Sequence, residues 1–132
     1  MTASIDALRR AIRERLAASP WFAPIPESPR VLSHSAKMDR YVTTDGQGLA
    51  HEHSHSTVQH LWVRADSVAQ PLIEGIEHRC YEGRSVDGRT GRHSNLAQIP
   101  GFADSPLLRF TPKTAEEAGR ILDALAGGRA SR

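Results

Sequence analysis

The two ends of the chain carry apolar residues at the spacing of a helix, and this arrangement constrains the fold more than any other feature. Near the start, over about residues 4–18, the apolar positions are three or four residues apart: Ile5, Leu8, Ile12 and Leu16. Ser4 can cap this helix, and Pro20 stops it. A helix with one apolar stripe buries it against another element, so the chain needs a packing surface between its ends.

The C-terminal segment predicts a second helix with clear boundaries. Thr114 and Glu117 have the spacing of a capping box, and Gly127-Gly128 ends the helix before a basic tail. The residues on its apolar face are Ala118, Ile121, Leu122 and Leu125.

The segments between the ends supply the predicted sheet. Residues 56–65 form the best strand, because they contain two valines, a threonine and a tryptophan. Shorter strands are predicted at residues 30–34, 37–44 and 107–111, with a turn at residues 45–48.

A further helix is predicted over about residues 67–80. Its apolar residues recur every four positions: Val68, Leu72, Ile76 and Cys80. We therefore expect Cys80 to be a small buried residue rather than a nucleophile. Cys80 is also the only cysteine of the chain, so no internal disulfide can form.

These elements predict the α+β class, in one domain with a mostly antiparallel sheet and about three helices packed on it. The length of 132 residues suits a single domain. We divide it into an N-terminal helix (residues 1–19), a Pro-rich connector (20–30), a core (31–126) and a basic tail (127–132).

A run of histidines raises the possibility of metal chemistry. His51, His53 and His55 alternate and His60 follows, so on a strand several imidazoles would share one face. Such a face can hold a divalent transition metal such as Zn²⁺. The candidates for an additional ligand are Glu52, His34, His78 and His93. The simpler interpretation, which we favour, is a solvated polar loop without a cofactor, and a His-based pH switch is the third.

Two other segments are candidate contact surfaces. Arg84, Arg89 and Arg92 alternate with glycines, which suits contact with phosphates or carboxylates, although a hairpin turn with solvated arginines is the preferred interpretation. Trp21 and Phe22 in the connector either pack on the core or dock a partner, and core packing is the preferred interpretation.

Charge and hydropathy exclude several classes of protein. The net charge of +2 is too weak to predict nucleic-acid binding. No apolar run is long enough for a membrane span, and no signal peptide is visible. The expected location is the cytoplasm of a bacterium or a phage-infected cell, or the virion for a structural subunit.

Two segments, taken in order, resemble phage tail-terminator or tail-completion proteins. They are residues 4–20, an opening amphipathic helix, and residues 57–67, a strand that leads into a helix. The resemblance covers about a third of the chain and departs at the C-terminus, where a helix replaces the expected strand. It implies a small α+β subunit that assembles in rings at the head–tail junction.

The leading hypothesis is therefore a non-enzymatic assembly or interaction protein that works as a homo-oligomer or with other protein subunits. The first alternative is a metal-dependent enzyme or metal-binding protein that uses His51, His53, His55 and His60. The second is a nucleic-acid or anion binder that uses the arginines of residues 84–92.

Overall fold

Two helices and six strands make up the part of the chain that the structure describes. A computed structural model describes residues 4–25, 38–68, 73–81, 102 and 106–126. In chain order the elements are α1 (Ile5–Ala18), β1 (Phe22–Pro24), β2 (Met38–Thr43), β3 (Gly48–Glu52), β4 (His60–Arg64), β5 (His78–Tyr81), β6 (Leu107–Phe110) and α2 (Ala115–Leu125).

Both helices begin at the predicted caps. The side chain of Ser4 accepts a hydrogen bond from the backbone N–H of Ala7 at the start of α1. The side chain of Thr114 accepts from the N–H of Glu117 at the start of α2. The two helices also contact each other, since Arg15 of α1 pairs with Asp123 of α2 and its guanidinium lies over Gly119. A Cβ at Gly119 would come within 3.1 Å of that guanidinium, so the glycine makes room for Arg15.

All six strands belong to one antiparallel sheet. Their order across the sheet is β1-β2-β3-β4-β6-β5, so β1 and β5 are the two edge strands. A tight turn joins β2 to β3, and Gly46 there has a φ of 89°, a conformation that favours glycine. This hairpin confirms the predicted turn at residues 45–48.

Each face of the sheet carries its own apolar cluster. Neighbouring residues of one strand enter different clusters, as Leu61 and Trp62 of β4 do. The helix-side cluster includes Leu8, Ile12 and Leu16 of α1 and Ile121, Leu122 and Leu125 of α2. The second face carries Met38, Ala50, Trp62, Tyr81, Phe102 and Leu107. The sheet is therefore buried on both faces, and the helices cover only one.

The prediction of a helix over residues 67–80 is wrong for residues 67–68 and 74–80, whereas Ile73 is helical and residues 69–72 lie outside the described residues. His78–Tyr81 is strand β5, and Gly75, with a φ of 86°, turns the chain before it. Val68 and Ile76 still enter the helix-side cluster, and each lies in a bend of the chain. Cys80 is exposed, not buried, because it lies on an edge strand. Two helices therefore replace the expected three among the described residues.

The α+β class and the antiparallel sheet are confirmed. Residues 37–44 and 107–111 contain β2 and β6, and the strand predicted at 56–65 begins only at His60. The strand predicted at residues 30–34, the arginine loop at 82–95 and the basic tail at 127–132 lie outside the described residues. Neither described helix has the length and apolar character that a membrane crossing requires.

Candidate functional site

The histidine run lies at one end of the sheet, where β3 leads into β4. His51 and Glu52 belong to β3, and His60 begins β4 opposite Glu52. Only residues 54–57 of this stretch are exposed. The expectation of a solvated loop is therefore wrong for His51 and His53, which are buried, while His60 is buried within the predicted strand.

On the helix side, His51 is buried as a neutral imidazole. Gln59 donates from its side-chain nitrogen to the backbone carbonyls of His53 and Val58, so its oxygen must accept from His51 Nε2, 2.7 Å away. His51 Nδ1 is then an acceptor, and it has no hydrogen-bond partner among the described residues. Burial lowers the pKa of His51 to about 4, so the ring is uncharged at neutral pH.

Arginines of α1 form a cluster of ion pairs and hydrogen bonds on the same face of the sheet. Arg13 Nε donates to Asp39 Oδ2 over 3.1 Å, and His53 Nε2 lies 3.5 Å from Asp39 Oδ1. Arg9 donates to the carbonyl oxygens of His53 and His55 at 2.9 and 3.0 Å. The N-terminal helix thus holds the histidine stretch against the sheet.

On the second face, Glu52 is the centre of a separate network. Its carboxylate accepts hydrogen bonds from Trp62 Nε1 at 2.8 Å and from His55 Nε2 at 2.6 Å. Burial opposes the charge of Glu52, but these two hydrogen bonds outweigh it and hold the pKa of the carboxyl below its ordinary value. His60 hydrogen-bonds to Thr111 over 3.0 Å, and burial, together with the charge of Arg109, lowers the pKa of His60.

The four histidines therefore form two pairs instead of one cluster. The rings of His51 and His53 are 5.8 Å apart, and those of His55 and His60 are 5.2 Å apart. Within the described ranges, no group of three or more His, Cys, Asp or Glu side chains is arranged to hold a metal ion. The contacts of these histidines stabilise this end of the sheet and do not bring metal ligands together. The other candidate ligands, His34 and His93, lie outside those ranges.

The second face also carries arginines at its β5 edge. Arg79 of β5 lies directly opposite Arg109 of β6, and Trp62 of β4 follows in the same row. Both guanidiniums approach the ring of Tyr81, with Cζ at 4.9 Å for Arg79 and 5.5 Å for Arg109. Arg109 Cζ is also 5.9 Å from the centre of the Trp62 ring. We call Arg79, Arg109 and Tyr81 the cationic edge.

The arginines of the cationic edge make no ion pair within the described part of the chain, although the carboxylate of Glu52 lies on the same face, hydrogen-bonded to Trp62. Neither Arg79 nor Arg109 pairs with a described carboxylate, and Arg109 Nε is buried there without a hydrogen-bond acceptor. Two like charges directly opposite each other on neighbouring strands destabilise a sheet. An oxyanion between them would remove that repulsion and satisfy the guanidinium donors.

Sequence reasoning missed the cationic edge for an identifiable reason. Helical spacing over residues 67–80 placed Arg79 on a helix, whereas strand pairing brings it opposite Arg109, thirty residues later in the chain. The arginines that the sequence did single out, Arg84, Arg89 and Arg92, lie outside the described residues.

The other predicted contact residues have a structural role. Phe22 lies on β1 and is buried in the helix-side cluster, while Trp21 is partly buried against the same cluster. This is the core-packing interpretation of the two aromatic residues. No family model, curated protein or solved structure matches this chain.

Proposed function

We propose that this protein is a non-enzymatic interaction protein that binds an acidic group of a partner protein through the cationic edge. The observation that carries the proposal is the facing pair Arg79 and Arg109, which share the Tyr81 ring and have no described carboxylate partner. A carboxylate supplied by a partner fits the forked donors of two guanidiniums.

The histidine-rich end supports an interaction role rather than a reaction. Glu52 is engaged by Trp62 and His55, and His60 is engaged by Thr111. These hydrogen bonds join β3, β4 and the chain after β6, so they stabilise the sheet that presents the cationic edge. A general base needs a free lone pair within reach of substrate, whereas the free lone pair of His51 Nδ1 is buried.

Burial of the aromatic rings favours a protein partner over a single-stranded nucleic acid. Trp62 is 2% exposed and Tyr81 is 6% exposed, so neither offers a face on which a base can stack. Assembly at a phage head–tail junction is one role of this kind, and it stays a prediction from the resemblance of residues 4–20 and 57–67.

Binding of two probes, polyglutamate and a single-stranded DNA, tests the proposal. We expect the intact chain to bind fluorescent polyglutamate, and the affinity to fall as salt rises from about 50 to about 200 mM. Arg79→Gln combined with Arg109→Gln should abolish this binding. Arg10→Gln, which removes an exposed arginine of α1, is the matched control and should leave the affinity unchanged.

Two outcomes would contradict the proposal. The first is polyglutamate binding that survives the double substitution at the cationic edge. The second is tighter binding of the DNA than of polyglutamate with dependence on the same two arginines, which would favour a nucleic-acid binder instead.

A further inference from the structure

Strand β5 presents backbone hydrogen-bonding groups at an edge of the sheet. Glu77 and Thr111 are opposite each other, and the carbonyl of Glu77 accepts from the N–H of Thr111 at 2.9 Å. Because inward and outward groups alternate along an antiparallel strand, Arg79 and Tyr81 also direct their backbone groups toward β6. His78 and Cys80 therefore direct their N–H and C=O groups away from the sheet.

Nothing in the described part of the chain pairs with that outer side. The sheet order ends at β5, and the side chains of His78, Arg79 and Cys80 are exposed. An edge strand with open backbone groups can accept an extended segment of another chain as an additional strand.

The side chains of β5 determine what such a segment must carry. Arg79 belongs to the pair that is hydrogen-bonded to β6, so toward a new antiparallel strand it occupies a non-hydrogen-bonded site. Side chains are closest at such sites, with Cα atoms about 4.5 Å apart. An acidic residue opposite Arg79 would lie on the second face and within reach of the cationic edge.

We propose that β5 binds an extended acidic segment of a partner protein by strand addition, with a Glu or Asp of that segment opposite Arg79. This inference rests on the proposed function, because it uses the same arginines, and it adds the backbone geometry and the partner class. Charge complementarity selects this occupant over a second copy of the chain, since pairing of β5 with β5 would bring two further arginines to the same edge.

A matched set of synthetic peptides tests strand addition. The probe is a heptapeptide of alternating Thr and Val with Glu at its centre, and the control has Lys at that position. We expect the Glu peptide to bind at least about tenfold more tightly, because the ion pair is made only in that complex. A third peptide keeps the Glu but carries N-methyl groups on the amides that face β5, and it should lose binding because its donors are removed.

A proline substitution in β5 tests strand addition by changing the protein instead of the peptide. Cys80→Pro removes an N–H that faces outward and is not used by β6, so the β5–β6 pairing is retained. We expect it to lose binding of the Glu peptide, whereas Cys80→Ser retains it. Circular dichroism reports whether the proline variant is folded, and the N-methylated peptide decides the question if it is not.

The outcomes separate this inference from the proposed function. Equal binding of the methylated and unmethylated Glu peptides would overturn strand addition, while loss of both in the Arg79/Arg109 double variant would still support acidic-partner binding. Failure of polyglutamate and of every peptide to bind would overturn both proposals.

Discussion

The arginines of α1 and those of the cationic edge have the same side chain and opposite surroundings. Arg9 donates to two backbone carbonyls, Arg13 pairs with Asp39, and Arg15 pairs with Asp123. Arg79 and Arg109 have aromatic rings beneath them and no described carboxylate. Because these three arginines of α1 already have acceptors within the fold, they stabilise it, whereas the cationic edge retains donors for a partner.

The open depression beside α1 illustrates the same contrast. It has a volume of about 350 Å³ and is lined by Asp6, Arg9, Arg10, Arg13 and Glu14. Three arginines and two carboxylates line it, so two of the three positive charges are offset. The cationic edge has no such balance among the described residues, and for this reason we place the partner there.

The largest effect that we expect is a loss of stability in acid, which originates at His51 on the face of the sheet that α1 covers. The pKa of His51 is about 4 in the folded protein and about 6.5 in the unfolded chain, so the unfolded state binds more protons between these values. The contribution of His51 to the free energy of unfolding is fully present above about pH 6.5. As the pH falls toward 4, about 3 kcal/mol of it is lost. The lowered pKa of His60 acts in the same direction.

Urea unfolding at several pH values measures this loss. His51→Gln removes the titrating ring and can still donate to Gln59, so its stability should depend less steeply on pH than that of the natural chain. Identical pH profiles for the two proteins would show that His51 is not the origin.

Removal of a paired arginine should be the next largest effect. Arg13→Ala leaves the carboxylate of Asp39 buried with one partner fewer, and we expect a loss of about 2 kcal/mol in the free energy of unfolding. Arg10→Ala, at an exposed position of the same helix, should change stability by less than about 0.5 kcal/mol. A loss as small for Arg13 as for Arg10 would remove the distinction between paired and unpaired arginines on α1.

Glu52→Gln should cost about 1 kcal/mol, because the amide still accepts from Trp62 but no longer offers a charged acceptor to His55. Chemical denaturation gives the stability, and tryptophan fluorescence reports the surroundings of the indole. The cost should shrink as the pH falls through the lowered pKa of Glu52, because the natural carboxylate then becomes protonated itself. A cost that does not vary with pH would argue that the charge of Glu52 is unimportant.

The smallest expected effect is at the cationic edge itself. Arg109→Gln removes one of two facing charges and also the cation–π contacts with Trp62 and Tyr81. These changes have opposite signs, so stability should shift by no more than about 0.5 kcal/mol. Thermal unfolding provides the measurement. A loss comparable to that of Arg13→Ala would show that Arg109 is a structural residue and would weaken the case for a partner.

Local features of the chain were sufficient to predict several elements. Ser4 and Thr114 cap helices that start where the spacing of apolar residues indicated, and Gly46 forms the turn between β2 and β3. The α+β class follows from these elements. Each depends on residues within a few positions of one another, so the sequence contains all the required information.

The candidate site depended on pairing between distant segments. Residues 67–80 have helical spacing, yet Gly75 turns the chain and His78–Tyr81 pairs with β6. That pairing exposes Cys80 and sets Arg79 against Arg109, while the register of β3 with β4 separates the four histidines into two pairs. Sequence alone determined the first and last helices, the turn and the fold class, because caps and periodicity act locally. Only the tertiary structure decided which charged side chains meet. The neighbours of a strand residue depend on which strand pairs with it and in which register, and neither can be read from the strand's own sequence.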